Sequence, residues 1–396
     1  MLDLPEASKE RLIKISKAAR PLTPNVESNL WDELFKKHHE AKPERSNPKV
    51  PNSLNGEPFD VMPHQRTALN SWRANKLRGI MALATGAGKT ITAIYGAVKI
   101  FEQSKKLFLV IAVPYQNLAD QWVDTLALFN ISAIRCYGSS AEWTPKLSEC
   151  VTLYQTGALD FVCAVVVNRT LQSDGFQGIL AQVPGKQMLF VGDECHHHSS
   201  EKLSKSLPEQ AEFRLGLSAT PSHYLNDELT QRITSYYGSI VHRYDLEEAL
   251  KDGVLTPYRY YVELVELTDE EAEEYGELSE QISRLAARRG ELNENTSDTQ
   301  LQLLLFKRAR LLGAAANKLS ILRQILGEKE PSPLTLFYCG DGRTEDEDTG
   351  DVVRQIELTS QILRAEGWKA QHFTSRESRA ERQQILENFK VGLIDA

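Results

Sequence analysis

The sequence predicts an α/β protein built on a parallel sheet with helices on both faces. Two observations carry that prediction. Short apolar runs recur at Gly79–Ala84, Leu107–Val113, Phe161–Val167, Met188–Gly192 and Leu215–Leu217, and a strand buried on both faces reads as such a run. Helical stretches separate several of them. In one, Ile91, Ile94, Ala97, Val98 and Phe101 recur on a single helical face. Strand–helix alternation of this kind belongs to a parallel sheet.

Taken in chain order, residues 1–55 are predicted as an N-terminal helical segment and linker. Leu12, Ile13 and Ile15, then Leu30, Trp31, Leu34 and Phe35, give weak helical periodicity, and Pro43, Pro48 and Pro51 follow. Residues 56–245 hold the α/β domain. Residues 246–330 read as a connecting strand, Arg259–Val265, and a helical pair. The first helix of the pair starts at a T-x-x-E capping box, Thr268 to Glu271. The second carries Leu301, Leu304, Leu305, Leu312, Ala315, Leu319, Leu322 and Ile325. Residues 331–396 read as the start of a second α/β unit. It comprises a strand at Leu334–Cys339, an acidic loop from Glu345 to Asp351, a helix at Ile356–Ala365, a strand at Ala370–Phe373 and a last helix around Ile385.

Composition removes several classes. The chain has 396 residues, 41% hydrophobic and 25% charged, an ordinary globular balance. No apolar run reaches the ~18–20 residues of a membrane helix, and the N-terminus has no apolar signal core. The five cysteines are scattered, odd in number and without a C-x-x-C pair, which fits free thiols in a reducing compartment. A formal charge of −8 argues against a simple basic nucleic-acid module. It does not exclude a motor that touches phosphates through a local groove and backbone amides.

Three motifs carry chemistry. The first is Ala84-Thr-Gly-Ala-Gly-Lys-Thr90, where a strand runs into a Gly-rich turn and then a helix. Gly86 and Gly88 let the backbone curl, so N–H groups of Thr85, Gly86, Ala87 and Gly88 can surround a phosphate. Lys89 adds a charge for the β/γ-phosphates, and the Thr90 hydroxyl suits Mg²⁺. The general pattern asks for Gly at 83, where this sequence has Leu83. The second motif, about a hundred residues on, is Asp193-Glu194-Cys195-His196, directly after the strand Met188–Gly192. Asp193 can hold Mg²⁺ through water, and Glu194 can orient the attacking water and accept its proton. Three consecutive histidines, His196 to His198, invite a metal reading, but they point different ways and lack ligand spacing. The third motif, Ser218-Ala219-Thr220, puts small hydroxyls at a strand end, able to hydrogen-bond the acidic pair.

In this order and spacing the motifs resemble those of the superfamily 2 helicases and translocases. The D-E-C-H-H form followed by L-G-L-S-A-T-P looks like the branch with XPB-type helicases and restriction-enzyme motors. The resemblance implies a RecA-like P-loop domain at 56–245, a helical insertion at 246–330 and the start of a second RecA-like domain at 331–396. It implies ATP and Mg²⁺ as cofactors, Gln65 as the adenine contact, and a coupling role for His196, Ser218 and Thr220. It also implies backbone contacts to DNA from Pro114, Gln121, Thr170 and Gln172, without sequence preference. Trp122 falls in the first of those segments and Asn168 opens the second. Duplex or branched DNA is the implied partner, with a nuclease or other defence or repair subunit beside it, in the cytoplasm and away from membranes. RNA stays open as a substrate, and so does an ATP-binding regulatory or scaffold protein that does not hydrolyse by itself.

The sequence departs from the family in one respect. Nothing like Q-x-x-G-R-x-x-R occurs, so the arginines that stabilise charge on the transferred phosphoryl have no counterpart. The expectation is a truncated second domain, or one completed by something else.

Overall fold

The computed structural model describes residues 47–396 apart from 55, 222–226, 288–293, 341–342, 346–351 and 375. Residues 1–46, where N-terminal helices are predicted, lie outside the described residues, as does most of the acidic loop. Two compact units meet in sequence between Tyr258 and Arg259.

The first unit is organised by a seven-stranded sheet. Its strands are β1 Arg78–Leu83, β2 Leu107–Val113, β3 Ile134–Cys136, β4 Phe161–Val167, β5 Met188–Gly192, β6 Phe213–Ser218 and β7 Ile240–Tyr244. They lie in the order β3-β4-β2-β5-β6-β1-β7, and every pairing is parallel. The continuous apolar runs are explained by burial on both faces. In β2, Leu107, Leu109, Ile111 and Val113 join one core, and Phe108, Val110 and Ala112 join the other. The first core is closed by helices α1 Pro63–Ala74, α2 Lys89–Ser104 and α3 Gln116–Leu128. The second is closed by α4 Ser140–Gln155, α6 Asp174–Leu180 and α8 Asp227–Tyr237, with the short helices α5 Asn168–Leu171 and α7 Glu201–Ser204 between them in sequence. The predicted face of α2 is the one that packs: Ile94, Ala97 and Val98 are buried, and Ile91 and Phe101 are partly so.

The two edge strands, β3 and β7, were not predicted. β3 has three residues with Arg135 exposed, and β7 reads Ile-Val-His-Arg-Tyr with only Tyr244 buried. Edge strands have one neighbour and carry polar residues, so they lack the apolar run. The expected domain exit at 245 also shifts. Helix α9 Leu246–Lys251 belongs to the first unit, because Ala249 is buried in its core and Val254 and Leu255 pack on it.

The second unit holds α10 Asp269–Ala287, α11 Glu294–Ala314, α12 Asn317–Gly327, α13 Gln355–Ala365 and α14 Arg379–Lys390. The capping box forms as predicted: Thr268 N–H donates to Glu271 Oε2 at 3.0 Å, and Glu271 N–H to Thr268 Oγ1 at 3.3 Å. The predicted second helix is two helices, interrupted at Ala315–Ala316. There the Ala316 N–H turns to Glu271 Oε1 at 2.9 Å. The later helix, α12, packs by Leu326 against Ile362, Leu363 and Trp368.

The strands predicted at Arg259–Val265, Leu334–Cys339 and Ala370–Phe373 do not form. At Tyr260, Tyr261, Val262 and Leu264 the side chains are exposed, and β-propensity alone does not make a strand without cross-strand neighbours. In the other two, isolated backbone bonds replace a ladder: Thr335 N–H to Asp395 O at 3.0 Å, Asp395 N–H to Lys369 O at 2.9 Å and Gln371 N–H to Ala396 O at 2.9 Å. An antiparallel pair, Arg343–Glu345 with Val352–Arg354, was not foreseen. Among the described residues no helix is long and apolar enough to cross a membrane.

Candidate nucleotide and nucleic-acid site

The C-terminal ends of the strands gather the predicted residues along one edge of the sheet, where open α/β sheets bind ligands. β1 delivers the phosphate loop, β5 the acidic pair, β6 Ser218, β2 Pro114 and β4 Asn168.

The loop from Ala84 to Gly88 adopts the backbone its glycines allow. Gly86 has φ +85° and Gly88 φ +78°, and Lys89 and Thr90 then open α2. A Cβ on Gly88 would run into Gln65 Nε2, and one on Gly86 would stand 2.7 Å from Leu255 Cδ2. Both positions favour glycine because their φ is positive. Gln65 is buried on this loop. Its Nε2 lies 3.4 Å from the carbonyl oxygens of Ala87 and Gly88, and its Oε1 accepts the Met62 N–H at 2.9 Å. His64 braces the same turn: its Nε2 is 2.9 Å from Ala87 O, and its ring stacks on Tyr244 at 4.1 Å.

Lys89 Nζ meets Glu194 Oε1 at 3.3 Å, joining the first motif to the second across 105 residues. Glu194 holds a left-handed backbone, φ 45° and ψ 51°, uncommon for a residue with a Cβ and found at functional turns. His196 Nδ1 lies 3.0 Å from Ser218 Oγ and 3.4 Å from Glu194 Oε2. Ser218 Oγ in turn accepts the Thr220 N–H at 3.1 Å. Lys89, Glu194, His196, Ser218 and Thr220 thus form one polar chain over three strand ends.

Asp193 is buried, which raises its pKa above the usual carboxylate range; donors from Trp122 and its own turn work against that. The Trp122 indole N–H donates to Asp193 Oδ2 at 2.8 Å, and the Glu194 N–H donates to Oδ1 at 3.0 Å. Trp122, read from sequence as part of a DNA-facing segment, is buried and supports the acidic pair instead. Nothing in its spacing signalled that, since the contact runs between α3 and β5.

The arrangement fits nucleotide and Mg²⁺. The loop ends at the start of α2, and Lys89 there reaches Glu194. One carboxylate, Asp193, and one hydroxyl, Thr90, are the donor set of an ion that keeps waters and takes phosphate oxygens. Among the described residues no group of three or more His, Cys, Asp and Glu could hold a metal ion; His196 meets Ser218, and His198 meets Tyr237 and Asn168.

Pro114 is half-buried after β2, Gln121 is exposed on α3, and Thr170 and Gln172 are half-buried in and just after α5. Gln172 Nε2 donates to Asn168 O at 3.3 Å. All four stand on the side of the sheet edge occupied by β2 and β4.

The chain is similar to several known proteins. Residues 58–223 match the family described as type III restriction enzyme, res subunit. The matched residues hold the phosphate loop, the acidic pair and Ser218 to Thr220. Over 358 residues the chain is 26% identical to the DNA 3'-5' translocase XPB2 of Sulfurisphaera tokodaii, covering 87% of this chain and 71% of that one. It is 26% identical over 187 residues to the type I restriction enzyme EcoAI endonuclease subunit of Escherichia coli. That match covers 46% of this chain and 21% of the relative, so the chain spans about a fifth of the restriction subunit's length. The Pyrococcus furiosus Hef helicase domain superposes with a TM-score of 0.46 at 15% identity, covering 84% of each chain.

One buried group of the first unit has a measurable pH signature. His198 is fully enclosed, and burial, with His197 and His196 nearby, lowers its pKa to about 3. The unfolded chain takes up that proton near the ordinary 6.5, so the neutral ring stabilises the fold above pH 6.5. That stability is lost as pH falls toward 3. Wild type is therefore expected to lose Tm relative to His198→Gln between pH 7 and pH 4, read by calorimetry. A Tm difference that stays constant across that range would contradict the assignment.

Proposed function

We propose that this chain is an ATP-dependent DNA helicase or translocase, moving on duplex or branched DNA without sequence preference. The observation that carries the reading is the chain Lys89–Glu194–His196–Ser218. It joins the phosphate loop, the acidic pair and the third motif at distances of 3.0 to 3.4 Å. The similarity to an archaeal DNA translocase along most of the chain supports it.

In this reading the backbone N–H groups of residues 85–90 and the positive end of α2 bind the phosphates. Lys89 holds the terminal phosphates, Gln65, placed against the loop, contacts the adenine, and His64 braces the loop. Thr90 and Asp193 would hold Mg²⁺, which when bound neutralises charge on the phosphate oxygens. When Lys89 turns to the phosphates, Glu194 is released to orient a water and accept its proton. His196 and Ser218 hold Glu194 on its far side. A scaffold that never hydrolyses has no use for that positioned carboxylate, and the alternative is not favoured. Pro114, Gln121, Thr170 and Gln172 face the DNA backbone. A nuclease or other defence or repair subunit as partner, a cytoplasmic setting and residues 331–396 as the start of a second motor domain complete the proposal.

The test is duplex binding as a function of salt. Phosphate contacts carry no base information and release counterions. Binding is expected to be weak and equal on unrelated sequences, and to fall steeply between 50 and 200 mM salt. Tight, sequence-specific binding that persisted in high salt would contradict the reading.

A further inference from the structure

A second hydrogen-bonded chain lies beneath the acidic pair. His198 is wholly buried at 0% exposure, and so is Tyr237. His198 Nδ1 is 2.7 Å from Tyr237 Oη, and Nε2 is 3.1 Å from Asn168 Oδ1. The three residues come from the turn after Glu194, the last position of α8 and the first of α5. An amide oxygen only accepts, so Nε2 carries the proton and Nδ1 accepts from the Tyr237 hydroxyl. The ring is neutral, as its burial requires, and the bonds run in one direction from Tyr237 to Asn168.

Each end of this chain abuts a working segment. A Cβ on Gly192 would run into Tyr237 Oη and stand 2.8 Å from His198 Cε1. The hydroxyl and ring therefore lie against the backbone that leads into Asp193. At the other end, Asn168 opens the segment that carries Thr170 and Gln172. Apolar side chains could fill this space without any polar group to satisfy. The polar version holds three elements in one relative placement, because hydrogen bonds weaken steeply with distance and angle.

We propose that Tyr237, His198 and Asn168 form a positioning relay that couples the nucleotide site to the DNA-facing segment 168–172. This rests on the reading of that segment as a DNA contact. A displacement of Asn168 on DNA cannot keep its bond to an unmoved His198, so it is passed to the turn that holds Asp193 and Glu194. The relay works in reverse when nucleotide draws on that turn.

The experiment measures duplex-DNA affinity with and without a non-hydrolysable ATP analogue and Mg²⁺, on wild type and three variants. Wild type is expected to show an affinity ratio of about 5–150 between the two states. The same ratio must appear in nucleotide affinity with and without DNA. His198→Leu and Tyr237→Phe are expected to bring it within about twofold of unity while each separate affinity stays within about threefold. His198→Gln, whose amide reaches toward the Nε2 position, is expected to recover part of the ratio. Tyr237→Phe removes one hydroxyl only and serves if His198→Leu does not fold. Folded variants with the wild-type ratio overturn the relay alone. Parallel loss of both affinities with an unchanged ratio also overturns it, leaving a structural role. Wild type that binds nucleotide but no duplex at low salt overturns the DNA reading, and the relay falls with it.

Discussion

Glu194→Gln is expected to bind Mg·ATP with wild-type affinity and to hydrolyse it about 10²–10⁴ times more slowly, the usual worth of a positioned general base. The substitution keeps shape and leaves the left-handed turn at residue 194 intact. It removes the negative charge that pairs with Lys89 at 3.3 Å, so Lys89 is, if anything, freer for phosphate. Binding and turnover therefore separate in one variant. Calorimetry reads the first and steady-state phosphate release the second. Unchanged turnover would move the base away from Glu194.

The second large effect concerns residues 1–396 by themselves. Charge developing on the γ-phosphoryl oxygens needs cationic stabilisation, and an arginine finger is worth about 10³–10⁵ in rate. The first unit offers Lys89, with Thr90 and Asp193 for Mg²⁺, and no Q-x-x-G-R-x-x-R segment occurs in the sequence. The polypeptide is expected to bind ATP yet show DNA-stimulated turnover close to the Glu194→Gln background. Adding a segment or partner that donates an arginine should raise it by orders of magnitude. Robust stimulated turnover without such an addition would require an arginine within these residues to reach the phosphates.

How much of this was legible in the sequence follows burial. β1, β2, β4, β5 and β6 are the interior strands, buried on both faces, and each announced itself as an apolar run. β3 and β7 have one neighbour each, and Arg135, His242 and Arg243 hid them. The extended reading of Arg259–Val265 failed for a related reason: Tyr260 and Val262 have strong β-propensity, but exposed side chains gain nothing from it. The phosphate loop and the acidic pair were legible because their chemistry is local, a few residues on one turn. Trp122 on Asp193, His64 on Tyr244 and His198 between Tyr237 and Asn168 were not. Those contacts join elements far apart in the chain, and no spacing within a segment encodes them. The helix break at Ala315–Ala316 escaped too, because alanine carries no stop signal and a carboxylate from another helix, Glu271, caps the new start.

The measurement that bears most directly on the nucleotide site is calorimetric titration of Mg·ATP into wild type and Lys89→Ala. Lys89 is the one side-chain cation that opens α2 beneath the two left-handed glycines, and it is drawn toward Glu194. Wild type should bind, and Lys89→Ala, folded by its melting transition, should show no measurable binding. Equal affinity in the two proteins would mean that residues 84–90 are not where the phosphates sit, and the assignment of the motor site would be wrong.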